Sequence, residues 1–405
     1  MPFRLALSGL NAAQADLTVT ANNIANTATT GFKSSRAEFA ELFSVSPQGV
    51  SSNAIGNGVR VSNVAQQFTQ GNIDFTDNNL DLAVSGQGFF ILNDGGALAY
   101  TRAGAFQVDS QGYIVNARNQ RLQVYPPSTN GQFNTGALTD IQLVTSESAP
   151  SATTAVDVTL NLPANATQPP VAVFDPANVN SYNSATSLTT YDSLGAAHTA
   201  TLYFTKTANV NEWTTQLYVD GNAVGTPQTL EYNNSGTLID PVGGTIAFPA
   251  YTPATGAADM NMTFDFSTST QYGGAFNVNA ITQDGYTTGR LIGIDIDSTG
   301  VVQARFTNGR SLALGQVALA NFANPQGLQQ LGDTNWAETF GSGQALRGQA
   351  GNSGFGLVQS GALESSNVDI TEQLVNMITA QRNFQANAQM ISTADAITQT
   401  IINIR

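Results

Sequence analysis

Both ends of this 405-residue chain carry one pattern and its middle carries another. Residues 1–26 and 366–405 are long, nearly uncharged stretches, each with an apolar stripe on one side. In the first, Phe3, Leu10, Leu17 and Ile24 recur every seven residues. Ala6 and Ala13 sit three positions further on, with Leu7 beside them. In the second, Ile370, Met377, Phe384 and Ile391 are again seven apart, with Leu374 and Ala388 on the same side. Ile397, Ile401 and Ile404 continue the stripe. A seven-residue apolar repeat is the signature of a helix that packs along a seam against other helices. The run Ser366-Asn367-Val368-Asp369 supplies N-cap residues, and Glu372 stands three after Asp369, as a capping box requires. A single amphipathic helix is most often packed on its own globular core. Two of them at opposite termini, both almost without charge, point instead to a subunit that assembles through its ends.

Between these ends the chain reads as short strands and turns. The segment 88–92 is a strand, 93–96 a turn and 98–102 the returning strand. Residues 106–108 and 113–115 flank a second turn, and 122–125 and 141–144 read as further strands. A Ser/Ala/Thr-rich stretch at 146–154 reads as a hinge. Beyond it, 156–162, 187–191, 198–206, 213–219 and 260–266 alternate apolar and polar residues as half-buried strands do. Strands resume at 290–297, 301–306 and 315–322. Residues 44–58 and 341–361 are rich in Ser, Asn and Gly and read as extended or flexible arms. The expected fold is therefore α+β and multidomain. Residues 1–30 and 366–405 form a coiled-coil-like helical inner domain. Residues 31–71 and 341–365 are linker arms, 72–145 and 285–340 a β-rich middle domain, and 146–284 an all-β outer domain inserted into the middle one. Since the chain runs out and back, both helices are expected at the same end of an elongated molecule.

Composition narrows the function. Only 10% of residues are charged, against roughly a quarter in ordinary soluble domains. Asn, Gln, Ser and Thr fill the polar positions, and such surfaces bury against copies of themselves without stranding ionic charge. The net charge of −14 is concentrated in 146–284, which holds eleven Asp or Glu and one basic residue, Lys206; residues 1–40 carry +1. No basic stripe is available to neutralise phosphates, so nucleic-acid binding is not expected. The absence of cysteine excludes disulfides and thiol chemistry. No apolar run reaches membrane-spanning length. The N-terminal residues lack the pattern of a cleaved secretory signal, so an exported form is expected to keep them.

Catalytic and metal signals are weak. His198 is the one histidine, which leaves a His-based metal triad or a Ser-His-Asp triad without parts. The run Asp295-Ile296-Asp297-Ser298-Thr299-Gly300 resembles the start of a calcium loop but lacks its closing Glu, and reads as a β-turn. Gly86-Gln87-Gly88 precedes a strand and is not a dinucleotide fingerprint. No acid pair stands out among 28 carboxylates. No enzyme activity, cofactor or metal is expected.

Four stretches carry a resemblance to the bacterial flagellar rod and hook family of axial proteins. The first is Ser8-Gly9-Leu10-Asn11-Ala12-Ala13 leading to Ala21-Asn22-Asn23-Ile24-Ala25-Asn26 and Thr30-Gly31-Phe32-Lys33. The second runs from Leu82-Ala83-Val84-Ser85-Gly86-Gln87-Gly88-Phe89-Phe90 to Thr101-Arg102-Ala103-Gly104. The third is Tyr191-Asp192-Ser193-Leu194-Gly195, with His198 and Tyr203-Phe204. The last is Gly361-Ala362-Leu363-Glu364-Ser365-Ser366-Asn367-Val368-Asp369, with Met377-Ile378 and the run from Gln381 to Asn387. The first, second and fourth resemble the family as a whole; the third, with the long insertion, is similar to its hook members. Phe384 departs from the family's frequent Tyr.

The resemblance implies a flagellar, extracellular tubular homopolymer around an export channel, working as a curved universal joint that passes torque from rod to filament. It implies rod proteins, a hook cap and hook–filament junction proteins as partners, and export through the flagellar type III apparatus. The assembly interface is expected at Phe3, Leu10, Leu17, Ile24, Ile370, Leu374, Met377, Phe384, Ile391 and Ile401, with helix formation coupled to assembly and bending eased by sliding at 44–58 and 341–361. The alternatives are a distal rod or hook–filament junction protein and, from another class, a secreted β-rich adhesin or polysaccharide-acting enzyme.

Overall fold

The computed structural model describes residues 2–43, 56–128, 131–143 and 147–403. The chain divides into two compact units. One comprises Met1–Thr145, Gly293–Arg305 and Ser311–Arg405; the other comprises Ser146–Ile292 and Phe306–Arg310.

The first unit holds both long helices, α1 (Pro2–Ala25) and α2 (Ile370–Asn403), and a large β-sheet. Pro2 opens α1, where its missing N–H would have had no helical partner. The Asp369 carboxylate caps α2, accepting the N–H groups of Thr371 at 2.7 Å and Glu372 at 3.1 Å. Central strands of the sheet run in the order Val301–Phe306, Ser311–Asn321, Arg121–Tyr125, Phe89–Asp94, Ala97–Thr101, Asn335–Ala337, Gln329–Gly332. Its middle strands are covered on both faces. Phe90 and Leu92 face one core with Val317 and Leu319; Phe89 and Ile91 face another with Ala318, Ala320 and Trp336. This explains why 89–92 reads as an unbroken apolar run rather than an alternating one.

Several expectations need correction here. The glycine-rich 341–361 and the segment after it are not a free arm. Leu346–Gln349 pairs with Ser311–Asn321, Leu357–Ser360 with Leu82–Ser85, and Ala362–Glu364 with Ile73–Phe75. These strands are three or four residues long, too short for alternation to show. The stretch 31–71 likewise holds an antiparallel pair, Ser35–Glu41 with Val59–Gln66, lying against α1. Of the expected arm at 44–58, residues 44–55 lie outside the described residues. The strand expected at 141–144 falls two residues earlier, at Thr139–Asp140 against Val124 and Gln123, and Val144 is outside the described residues.

The second unit follows directly from alternation. Along Ala155–Pro163 every second residue is buried, placing Val156, Val158, Leu160 and Leu162 on one face. Residues 197–206 and 212–219 alternate in the same way. One five-stranded sheet is built around Ala155–Pro163, a second around Ala197–Lys206 and Glu212–Val219. Their inner faces share one core that includes Trp213, Phe204, Phe264 and Phe266. The unit continues past residue 284 because Ser151 pairs with Tyr286 and Ser148 with Gly289.

At one edge of this core His198 bridges two carboxylates. Its Nδ1 lies 2.6 Å from Asp220 and its Nε2 lies 3.2 Å from Asp192. Asp192 is fully buried; it also accepts hydrogen bonds from Thr255 and from the N–H groups of Leu194 and Ala196. Burial alone would raise the Asp192 carboxyl, but these bonds overrule it and hold the pKa at about 2. Burial likewise opposes charge on His198, yet the bonds to Asp220 and Asp192 win and its pKa rises above the ordinary 6.5. Stability from the imidazolium is thus fully present below pH 6.5 and is lost as pH rises through the raised value. Stability from Asp192 is present above its ordinary 3.8 and is lost as pH falls toward 2. A neutral ring donates from one nitrogen only, so one carboxylate contact is forfeited at high pH. Thermal unfolding followed at pH 5.5 and pH 9 should show this unit destabilised at the higher pH by about 1.5–3 kcal/mol, the worth of one charge-assisted bond. The variant His198→Asn should lose that pH dependence; an unchanged dependence would exclude the cluster as its source.

Candidate assembly interface

The two helices lie side by side and antiparallel. Asn23 donates to Gln373 at 3.1 Å, and a Cβ at Gly9 would meet Asn387 Oδ1 at 2.5 Å. Glycine inside a helix costs roughly 1 kcal/mol against alanine; here it admits the Asn387 side chain between the helices. At about 1.5 Å per residue, the 34-residue α2 outruns the 24-residue α1. The register set by these two contacts places Pro2 opposite Ala394, and residues 395–400 beyond it are all exposed.

The seam between the helices is made of small side chains. Ala6, Ala13 and Thr20 of α1 and Ala380 of α2 are buried. Met377, Phe384 and Ile391 of α2 and Leu10, Leu17 and Ile24 of α1 are half-buried. Six of the ten expected interface residues are thus half-buried in the single chain. Three others stay in the open: Phe3, Ile370 and Leu374 are 52%, 52% and 46% exposed. The side chain of Ile401 lies outside the described residues. Val375, Ile378, Met390 and Ile397 are also at least half exposed. Val375, Ile378 and Met390 lie off the heptad stripe, on a second face of α2, whereas Ile397 was read as part of the stripe and is exposed all the same.

Below the helices, both chain ends are fastened to the sheet by a polar junction that sequence reading missed. Lys33, Arg102 and Glu364 are the three buried charged side chains of this unit among the described residues. Lys33 Nζ donates to Glu364 Oε1 at 2.5 Å and to the Thr69 carbonyl at 2.7 Å. Arg102 donates to Glu364 Oε2 at 3.1 Å and to the carbonyls of Val84 and Gly86. The Gly71 N–H completes the carboxylate's shell at 2.9 Å. Burial pushes both cations below their ordinary pKa while Glu364 pulls both back up; Arg102 adds to the fall of Lys33. Around this core, Asn367 accepts from the Ser34 N–H and donates to the carbonyls of Gln67 and Thr69. Gly31, at φ +68°, donates to the Glu364 carbonyl, and a Cβ there would lie 2.5 Å from the Ala103 nitrogen. Only glycine fits this approach. The first, second and fourth quoted sequence stretches thus each contribute one charge to one cluster.

Among the described residues no group of three His, Cys, Asp or Glu is placed to hold a metal, and no helix is long and apolar enough to cross a membrane. Asp297 spends its carboxylate on its own turn, accepting from Thr299 and Val301.

Comparison with known proteins accounts for the whole chain. Four family models match: "Flagella basal body rod protein" over residues 3–33, "Flagellar hook protein FlgE/F/G D1 domain" over 83–172, "Flagellar basal body protein FlaE D2 domain" over 161–286 and "Flagellar basal body rod FlgEFG protein C-terminal" over 359–404. The chain is 42% identical to the flagellar hook protein FlgE of Escherichia coli K12 and 40% identical to that of Salmonella typhimurium LT2, each match covering 100% of both chains. It is 33% identical to the hook protein of Borreliella burgdorferi over 98% of each. The crystal structure of the Helicobacter pylori flagellar hook protein FlgE2 shares the fold, with a TM-score of 0.53 at 13% identity over 72% of this chain and 100% of that one. With full-length relatives well above 30% identity and helical ends that match the axial rod models, the chain belongs to the flagellar hook protein family, and it is a structural subunit of the bacterial flagellar hook rather than an enzyme.

Proposed function

We propose that this subunit polymerises through its helical ends into a curved tube that passes torque from rod to filament and encloses an export channel. The observation that carries this reading is the state of α2. Its single substantial neighbour among the described elements is α1, and Leu374, Val375 and Ile378 remain about half exposed at adjacent positions of one helical face. Burying such side chains fully contributes about 1.5–3 kcal/mol each, and copies of the same chain offer the matching surface. Phe3, Leu10, Leu17, Ile24, Ile370, Leu374, Met377, Phe384, Ile391 and Ile401 are the proposed interface, with Ile378 added. Within that tube we place the helical ends, 1–30 and 366–405, innermost. Rod proteins, a hook cap, junction proteins and the type III export apparatus are the proposed partners.

The helix pair alone is weakly held. Its buried apolar residues are mostly alanines, which bury little area, and isolated helices of this length are marginal in water. Assembly and helix ordering are therefore coupled. Hydrogen exchange should find residues 2–25 exchanging rapidly in the dispersed protein and at least tenfold more slowly in the polymer; strong protection before assembly would refute the coupling. Electron microscopy should find no tubes from Ile378→Asp or Leu17→Asp, while the β units of both variants unfold at the wild-type temperature. Because Ile378 is half exposed in the single chain, normal tubes from that variant would remove α2 from the interface.

A further inference from the structure

We propose that the Lys33–Glu364–Arg102 cluster is the joint through which rotation passes between the helix pair and the β-sheet of each subunit. The three residues stand at the roots of the elements that must be coupled. Lys33 lies on the connection from α1 to its first strand, Glu364 ends the short strand that leads to α2, and Arg102 directly follows the sheet strand Ala97–Thr101. Each bond in the cluster ties one of these roots to another. Apolar contact is non-directional, so an alanine seam resists separation but resists twisting poorly. Charge-assisted hydrogen bonds in a dry site depend steeply on distance and angle, and they oppose rotation about the connection.

Stability alone does not call for charges at this position. Replacing a buried ionic cluster by packed apolar side chains is often neutral or stabilising. This chain, with charge on only 10% of its residues, nonetheless buries two cations against one carboxylate here. It also leaves Arg102 Nε without a hydrogen-bond partner. What an apolar replacement could not reproduce is the directional tie.

The test follows from that difference. The triple variant Lys33→Met, Arg102→Met, Glu364→Leu should keep a melting temperature within a few degrees of wild type and should form tubes. The torsional spring constant of those tubes, measured from the rotational fluctuations of tethered beads, should fall at least twofold. Cells carrying the variant should lose swimming in viscous medium before swimming in dilute medium. Tubes of wild-type torsional stiffness would overturn the proposal. Should the triple variant fail to fold, Glu364→Asp keeps every charge but withdraws the carboxylate by one methylene; it should lower stiffness in the same direction, and unchanged stiffness in that folded variant would overturn the proposal equally. The inference rests on the subunit carrying torque. Normal tubes from the helix variants would refute that reading, whereas tubes of wild-type stiffness from the cluster variants refute this one alone.

Discussion

A carboxylate buried with two cations is expensive unless both its oxygens are hydrogen-bonded, and Glu364 engages them with Lys33, Arg102 and the Gly71 N–H. The partners come from positions 331 and 262 residues away in the chain. Such a site cannot form piecemeal: with one partner absent, a charge is stranded in a dry environment. The first and last segments of this unit therefore either close on the sheet together or not at all. Asn367 and Gly31 extend the same closure by tying the backbone at 34 and 364 to the loops at 67, 69 and 103. The position and direction of α2 depend on this closure, since it has no other substantial neighbour than α1 among the described elements.

Above the junction the physics changes. The seam between the helices buries alanines and leaves larger residues half covered or bare. Small side chains allow close approach but supply little transfer free energy. Strong fixation at the root and weak cohesion along the shaft suit a part that must be completed by its neighbours. The second unit is built on the opposite principle. It has its own aromatic core, two sheets of five strands and its own charged cluster at His198, so its stability requires no neighbour.

Much of this was legible in the residues, and the limits have physical causes. The apolar heptads located α1 and α2, and Asp369 marked the start of α2, because both signals are local. Alternation over eight or more residues located Ala155–Pro163 and Ala197–Lys206. It failed at Leu346–Gln349, Leu357–Ser360 and Ala362–Glu364, where the strands are shorter than the pattern needs. It failed also at Ser35–Glu41 and Val59–Gln66, whose mixed exposure hides a regular face. The junction was invisible for a different reason. Lys33, Arg102 and Glu364 each look like a solvated charge in their own neighbourhood, and nothing local reveals that the fold gathers them. The same holds for His198, which reads as a lone histidine until Asp192 and Asp220 are seen on either side of it.

A joint that rotates while bending must separate two mechanical tasks, and this chain separates them by the chemistry of its contacts. Where length between copies must vary, contacts should be replaceable at small cost, and neutral amides and hydroxyls exchange partners with each other or with water readily. Where rotation must be passed on without slip, contacts should be few, directional and costly to break, which describes buried charge-assisted bonds. The low charge of the sequence then has a mechanical sense. Fixed charges are withheld from most of the first unit's interior and placed at the one junction where the helical ends meet the sheet.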